Sequence, residues 1–175
     1  HPLVDRFALD GISLINSNLI LAVQDGSNLE ARSNLALGSL YGGMCLGPVN
    51  TAAVHALAYP LGSFYKIAHG LANAVLLQHV LKFNTIEAGD RFALVAKSMG
   101  IEENTSAVKL AQDCINHIKS LVHSCGIPLH LKELGVKEKD IPKMAESAIT
   151  VQRLLKNNVR EVSVKDAVEI YENAY

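Results

Sequence analysis

Histidine is the residue type in this chain most able to do chemistry, and two of its seven histidines, His55 and His69, stand out. An imidazole is the commonest metal ligand near neutral pH, because one ring nitrogen then keeps its lone pair. A continuous helix would hold this pair about 21 Å apart at about 1.5 Å of rise per residue. Pro60-Leu61-Gly62 lies between them and predicts a turn, with His55 near the end of one helix and His69 at the start of the next. Two imidazoles from different elements can then converge on one ion. Histidines at this spacing also occur by chance, so simple packing is the other reading.

The remaining candidates offer less. His79 stands about 15 Å along and about 80° around the helix from His69, so it cannot share an ion with it, and it is predicted to be packed or close to a cap. His117 and His123 do not share a helix face, and His130 reads as a surface residue. Cys45, Cys114 and Cys125 are odd in number and make no disulfide framework. The last two fall on an apolar stripe, where a free thiol is an inert small hydrophobe. No serine stands in a nucleophile elbow, no carboxylates are paired, and neither GxGxxG nor GxxxxGK[ST] is present to cradle phosphate.

The elements that must position these side chains read as helix nearly throughout. Val4, Phe7, Ala8, Gly11, Ile12, Ile15, Leu19, Ala22 and Val23 recur at helical steps until Asp25-Gly26-Ser27. Ser27 with Glu30 predicts a capping box for the next helix, which Leu46-Gly47-Pro48 should break. A third helix is predicted from Thr51 to Tyr59, ending before Pro60. Another begins near His69 and runs to about Phe83. Asn84 with Glu87 should cap the one that closes at Gly100. A clear stripe from Ala107 to Cys125 follows, then a short helix ending at Gly135, one capped by Asp140, and a last one capped by Ser163 with Asp166. No β-branched alternation persists. The expected architecture is a single all-α domain over 1–175, with about eight helices.

Composition narrows the function. Hydrophobic residues are 49% and charged residues 19%, enough apolar material for a core. A net charge of −1 gives no electrostatic case for nucleic acid or an anionic membrane surface, and 5% aromatics without Trp make no stacking platform for bases. No apolar run approaches the roughly 20 residues of a membrane span. The chain opens His1-Pro2-Leu3 with neither Met nor a signal peptide, and a cytoplasmic setting is expected.

The stretch GGMCLGPVNTAAVHALAYPLGSFYKIAHGLANAVLLQHVLKFN, from Gly42 to Asn84, resembles the signature region of the iron-containing alcohol dehydrogenases. His55-Ala56-Leu57-Ala58, Pro60-Leu61-Gly62, His69-Gly70, Ala72-Asn73-Ala74 and His79-Val80 keep that family's order and spacing. Pro2 to Asp25, Ile127-Pro128 through Val136, and Val164 to Tyr175 resemble its other C-terminal segments, so nearly all 175 residues are covered. The resemblance implies the helical, metal-binding C-terminal domain of a dehydroquinate synthase-like enzyme. In that family an N-terminal α/β domain binds NAD(P), and one Asp and three His hold Fe²⁺ or Zn²⁺. Two of those histidines map onto His55 and His69. The implied reaction is hydride transfer between NAD(P) and a small alcohol or aldehyde, with the cation polarising the substrate oxygen.

Some positions depart from the family. Its Asp-x-x-x-His ligand pair and its nucleotide-binding domain belong upstream of His1, so the chain by itself is expected to show no NAD(P)-dependent alcohol oxidation. Tyr59 stands where many members carry another His near the substrate, and is the candidate catalytic residue for substrate preference or proton relay. Gln78 replaces a common Pro, and Asn158-Val159-Arg160 resembles an NPR segment without its Pro. Two other readings stand beside this one. A related superfamily enzyme is the first: a glycerol dehydrogenase, maleylacetate reductase or sugar-phosphate cyclase. The second is a non-catalytic helical module, whose small residues Gly38, Gly42 and Gly43 could support packing or assembly into a homo-oligomer.

Overall fold

The computed structural model describes residues 1–101 and 106–175, and among them every regular element is helical. Eight α-helices follow in chain order: α1 Pro2–Gln24, α2 Leu29–Val49, α3 Ala53–Tyr65, α4 His69–Ser98, α5 Ala107–Ser124, α6 Ile141–Ile149, α7 Gln152–Leu155 and α8 Val164–Ala174. Two 3₁₀ turns, Leu131–Leu134 and Glu138–Asp140, lie between α5 and α6. The all-α expectation of about eight helices holds. The chain divides into two compact units, one of His1–Asn50 with Ala88–Cys125, the other of Thr51–Glu87 with Gly126–Tyr175.

In the first unit α1 and α2 form an antiparallel pair. Asp25 Oδ1 accepts from the Ser27 amide at 2.9 Å and the Ser27 hydroxyl at 2.6 Å, which closes the turn between them. With Ser27 spent there, the cap of α2 is Asn28, whose Oδ1 accepts the Ala31 amide at 3.0 Å, not the predicted Ser27–Glu30 box. Pro48 does not break α2 either. It sits in the last turn, and the helix ends at Asn50, in a positive-φ conformation at 61°.

The two helices meet where they carry glycine. A β-carbon at Gly38 would lie 2.9 Å from Ile15 Cγ1 and 3.0 Å from the Gly11 carbonyl oxygen. At Gly42 and Gly43 a β-carbon would meet nothing within 4 Å, so only Gly38 of the three predicted small residues makes a close approach. Gly38→Val is therefore expected to destabilise by about 1–3 kcal/mol through overpacking. Gly43→Ala should be neutral or better, since Ala is the stronger helix former. Urea midpoints of the two variants check this, and an unchanged midpoint for Gly38→Val would contradict the contact.

By length and composition α1 is apolar enough to cross a membrane, a departure from the expectation that no stretch qualifies. Its polar residues break up any continuous apolar run, which is why the sequence did not reveal it. They are bonded within the unit instead: Asn16 Nδ2 donates to the Met99 carbonyl at 3.1 Å, and Asn34 Nδ2 donates to Asn18 Oδ1 at 3.2 Å. Arg91 grips the Asp5 carboxylate through two bonds of 2.6 and 3.1 Å. The α5 stripe is buried as predicted at Leu110, Ala111, Cys114, Ile115 and Ile118. Burial pushes the Cys114 thiol up to about 11, which keeps it protonated and inert. His117 Nε2 lies 2.6 Å from Asn16 Oδ1, a structural bond.

The second unit has its core around Leu57, Leu61, Val75, Leu76, Val80, Leu131, Ile141, Met144, Leu154 and Tyr171. Here α3 runs straight through Pro60 to Tyr65, six residues beyond the predicted end. Proline removes the amide that would bond the Ala56 carbonyl. Yet Leu57, Ala58, Pro60 and Leu61 are all buried, and their burial outweighs the missing bond. The turn comes at Lys66, in left-handed conformation with φ 58°. Its amide donates to the Gly62 carbonyl at 3.1 Å, the 5→1 bond of a left-handed helix cap, and the Ile67 amide to the Leu61 carbonyl at 3.2 Å.

The stretch of α4 in this unit departs from prediction as well. There is no cap at Asn84, because its carboxamide pairs with Asn158 through two bonds of 3.1 and 2.8 Å. The helix is broken at Ala88 instead (φ −125°, ψ 21°). At the far end, Ser163 and Asp166 form the predicted capping box, with reciprocal bonds of 3.2 and 2.9 Å. Asp140 precedes α6 but does not cap it with its side chain; it accepts the Tyr65 hydroxyl at 2.5 Å.

Candidate metal centre

The Lys66 turn sends the chain back along α3 instead of away from it. Ile67 is bonded at the level of Leu61, and the next residues carry His69 to the flank of the helix. His55 is the third residue of α3, not near its end as predicted, because Pro60 does not stop the helix. The reversal still joins the two histidines. His55 Nδ1 lies 3.0 Å from His69 Nε2, with the ring centroids 5.0 Å apart. The turn is itself anchored: Tyr65, at the end of α3, donates to Asp140 and accepts the Lys137 amide at 3.0 Å.

His55 is half-buried and His69 exposed. Burial, and secondarily the neighbouring charge of His69, hold the His55 imidazole below its usual value, so the neutral, lone-pair form is favoured. The side of His55 facing α4 opens on a cleft of about 440 Å³, lined also by Asn73, Ala74, Leu77, Asn84 and Asn158. Tyr59, the candidate catalytic residue, is exposed and stands beside His69 at 5.9 Å between ring centroids.

This donor set fits a divalent cation. Imidazole nitrogens bind such ions at about 2.0–2.1 Å, and two neighbouring ligands of one ion then stand about 3 Å apart. The observed 3.0 Å matches that separation and is equally a hydrogen-bond distance between the two rings. Among the described residues no group of three or more His, Cys, Asp or Glu is placed to hold an ion, so the pair could supply only part of a ligand set. Nitrogen donors suit Fe²⁺ and Zn²⁺ alike.

One further side chain belongs to the geometry. Asn73 Nδ2 lies 3.0 Å from the same His69 Nε2. With the amide nitrogen as donor, Nε2 is the acceptor in this contact, which corresponds to the Nδ1-protonated tautomer of His69. The i, i+4 spacing on α4 was the available signal for this contact, but a neutral amide draws no attention by type. His79, His117, His123 and His130 do not join the pair.

Over residues 1–175 the chain matches the Fe-containing alcohol dehydrogenase family, C-terminal. It is 43% identical to the 1,3-propanediol dehydrogenase of Citrobacter freundii, with 100% of this chain and 45% of that protein aligned. It is 33% identical to the lactaldehyde reductase of Escherichia coli K12, over 99% of this chain and 45% of that protein. Superposed on the crystal structure of a 1,3-propanediol oxidoreductase, it gives a TM-score of 0.97 at 40% identity, covering 100% of this chain and 46% of that one. The chain thus spans about half the length of the relatives it matches. It belongs to the iron-containing alcohol dehydrogenase family, as a C-terminal part.

Proposed function

We propose that this chain is the metal-binding helical domain of an NAD(P)-dependent dehydrogenase that interconverts small alcohols and aldehydes. The observation that carries the reading is the His55–His69 pair, 3.0 Å apart at the reversal between α3 and α4, in a chain of this family. His55 and His69 would hold a divalent cation, Fe²⁺ or Zn²⁺, which supplies Lewis acidity toward the alcohol or carbonyl oxygen. NAD(P) would be bound mainly by the N-terminal domain of a longer protein. On this chain, buried Ala53, Ala56 and Leu57 back the pair on α3 and fix its position. Tyr59, beside His69, offers a hydroxyl at the site's rim, where it would influence substrate choice or relay a proton.

The relatives support a small alcohol or aldehyde as substrate: their names give a propanediol and a lactaldehyde, both short and hydroxylated. A net charge of −1 gives no reason for a nucleic-acid partner. We place the enzyme in the cytoplasm. The non-catalytic helical module has no observation in its favour. Full-length enzyme supplied with Fe²⁺ or Zn²⁺ and NAD(P) should oxidise 1,3-propanediol, and exhaustive chelation should abolish it. Residues 1–175 alone should show no turnover. Undiminished oxidation by the chelated, metal-free enzyme would refute the metal role.

A further inference from the structure

The hydrogen bonds of Asn73 are unusual for a side chain on a packed helix. Its Nδ2 lies 3.0 Å from His69 Nε2, the atom that His55 Nδ1 also approaches at 3.0 Å and whose lone pair a cation would take. Its Oδ1 is buried and has no hydrogen-bond partner among the described residues. A buried polar atom left unpaired is destabilising, because it has given up water without gaining a partner. The carboxamide also lines the same cleft as His55. An amide whose donor rests on a displaceable lone pair, and whose acceptor is unspent, has its bonding capacity directed at a ligand.

We propose that Asn73 is a further residue of the site, acting in two states. Without a cation, its N–H holds His69 in the Nδ1-protonated tautomer, with Nε2 ready to ligate. Once a cation takes Nε2, that N–H is displaced to the substrate oxygen placed beside it, where it stabilises developing negative charge. The amide is neutral at every working pH, so this donor is not lost on titration. A preorganised donor of this kind is worth about 10²–10³ in rate when removed. The inference rests on the metal-centre reading proposed above.

Two variants of the full-length enzyme separate the inference from that reading. Asn73→Ala should keep the parent's metal stoichiometry and lose no thermal stability, since it removes an unpaired buried oxygen, while kcat/KM with 1,3-propanediol falls about 100-fold. In the metal-free protein, ¹⁵N NMR should show His69 Nε2 unprotonated in the parent and mixed tautomers in Asn73→Ala. An unchanged kcat/KM, or an Nε2 already protonated in the parent, overturns the role of Asn73. Loss of metal from Asn73→Ala overturns it too, since the amide would then be holding the ion and not the oxygen. His69→Ala is the control: if it retains metal, the metal-centre reading itself fails, whatever Asn73 does.

Discussion

His69→Ala in the full-length enzyme is expected to lower divalent-metal affinity by at least about 100-fold, with activity falling in step. Loss of a side chain that merely supports a metal ligand already costs about 10–100-fold in affinity or activity, so loss of a ligand must cost at least the upper end. The partner cannot compensate: His55 is fixed by α3, whose neighbouring residues Ala53, Ala56 and Leu57 are buried. His55→Ala should behave the same way. Chelator competition followed by elemental analysis reads the effect, and full metal retention in either variant would contradict it.

The pH dependence of binding follows from the same pair. Metal ligation needs the neutral imidazole. Burial and His69 set the titration of His55 below its ordinary 6.5, so its lone pair is available from pH 6.5 upward. Deprotonation of His55 should therefore contribute less to metal affinity above that pH than an ordinary histidine would, and affinity measured by chelator competition should fall on acidification below it.

Tyr171→Ala is the substitution expected to be most damaging to stability. Tyr171 is fully buried on α8, and its hydroxyl donates to the Leu57 carbonyl on α3 at 2.5 Å. Removing a buried aromatic side chain costs about 3–5 kcal/mol, a large share of the roughly 5–15 kcal/mol that holds a typical domain together. Tyr171→Phe keeps the ring and loses the bond, for about 1–3 kcal/mol. The difference between the two variants separates packing from hydrogen bonding. Leu57 is two residues from His55, so the bond also steadies the segment that carries His55. Urea unfolding gives both values, and a Tyr171→Phe protein as stable as the parent would show that the hydroxyl contributes nothing.

Much of this architecture is legible in the sequence, because helical periodicity and glycine stops act locally. The α1 pattern to Asp25, the α5 stripe and the Ser163–Asp166 box appear where those signals put them. What local signals miss is tertiary override. Pro60 reads as a stop, yet the core around Leu57 and Leu61 carries α3 past it. The break in α4 falls on Ala88, a strong helix former that gives no warning. Ser27 loses its predicted cap role because Asp25 competes for its hydroxyl.

The site shows the same division. His55 and His69 are noticeable by type, and the family resemblance assigns them one ion. The backward turn at Lys66 that joins them has no sequence mark, since lysine does not advertise a positive φ. Asn73 is visible only once α4 places it one turn from His69.

The most direct test is an anomalous-difference map from crystals of the full-length enzyme, collected at the absorption edge of the bound metal. One strong peak is expected within about 2.0–2.3 Å of a ring nitrogen of both His55 and His69. A metal-loaded enzyme whose peak lies away from these two imidazoles would contradict it.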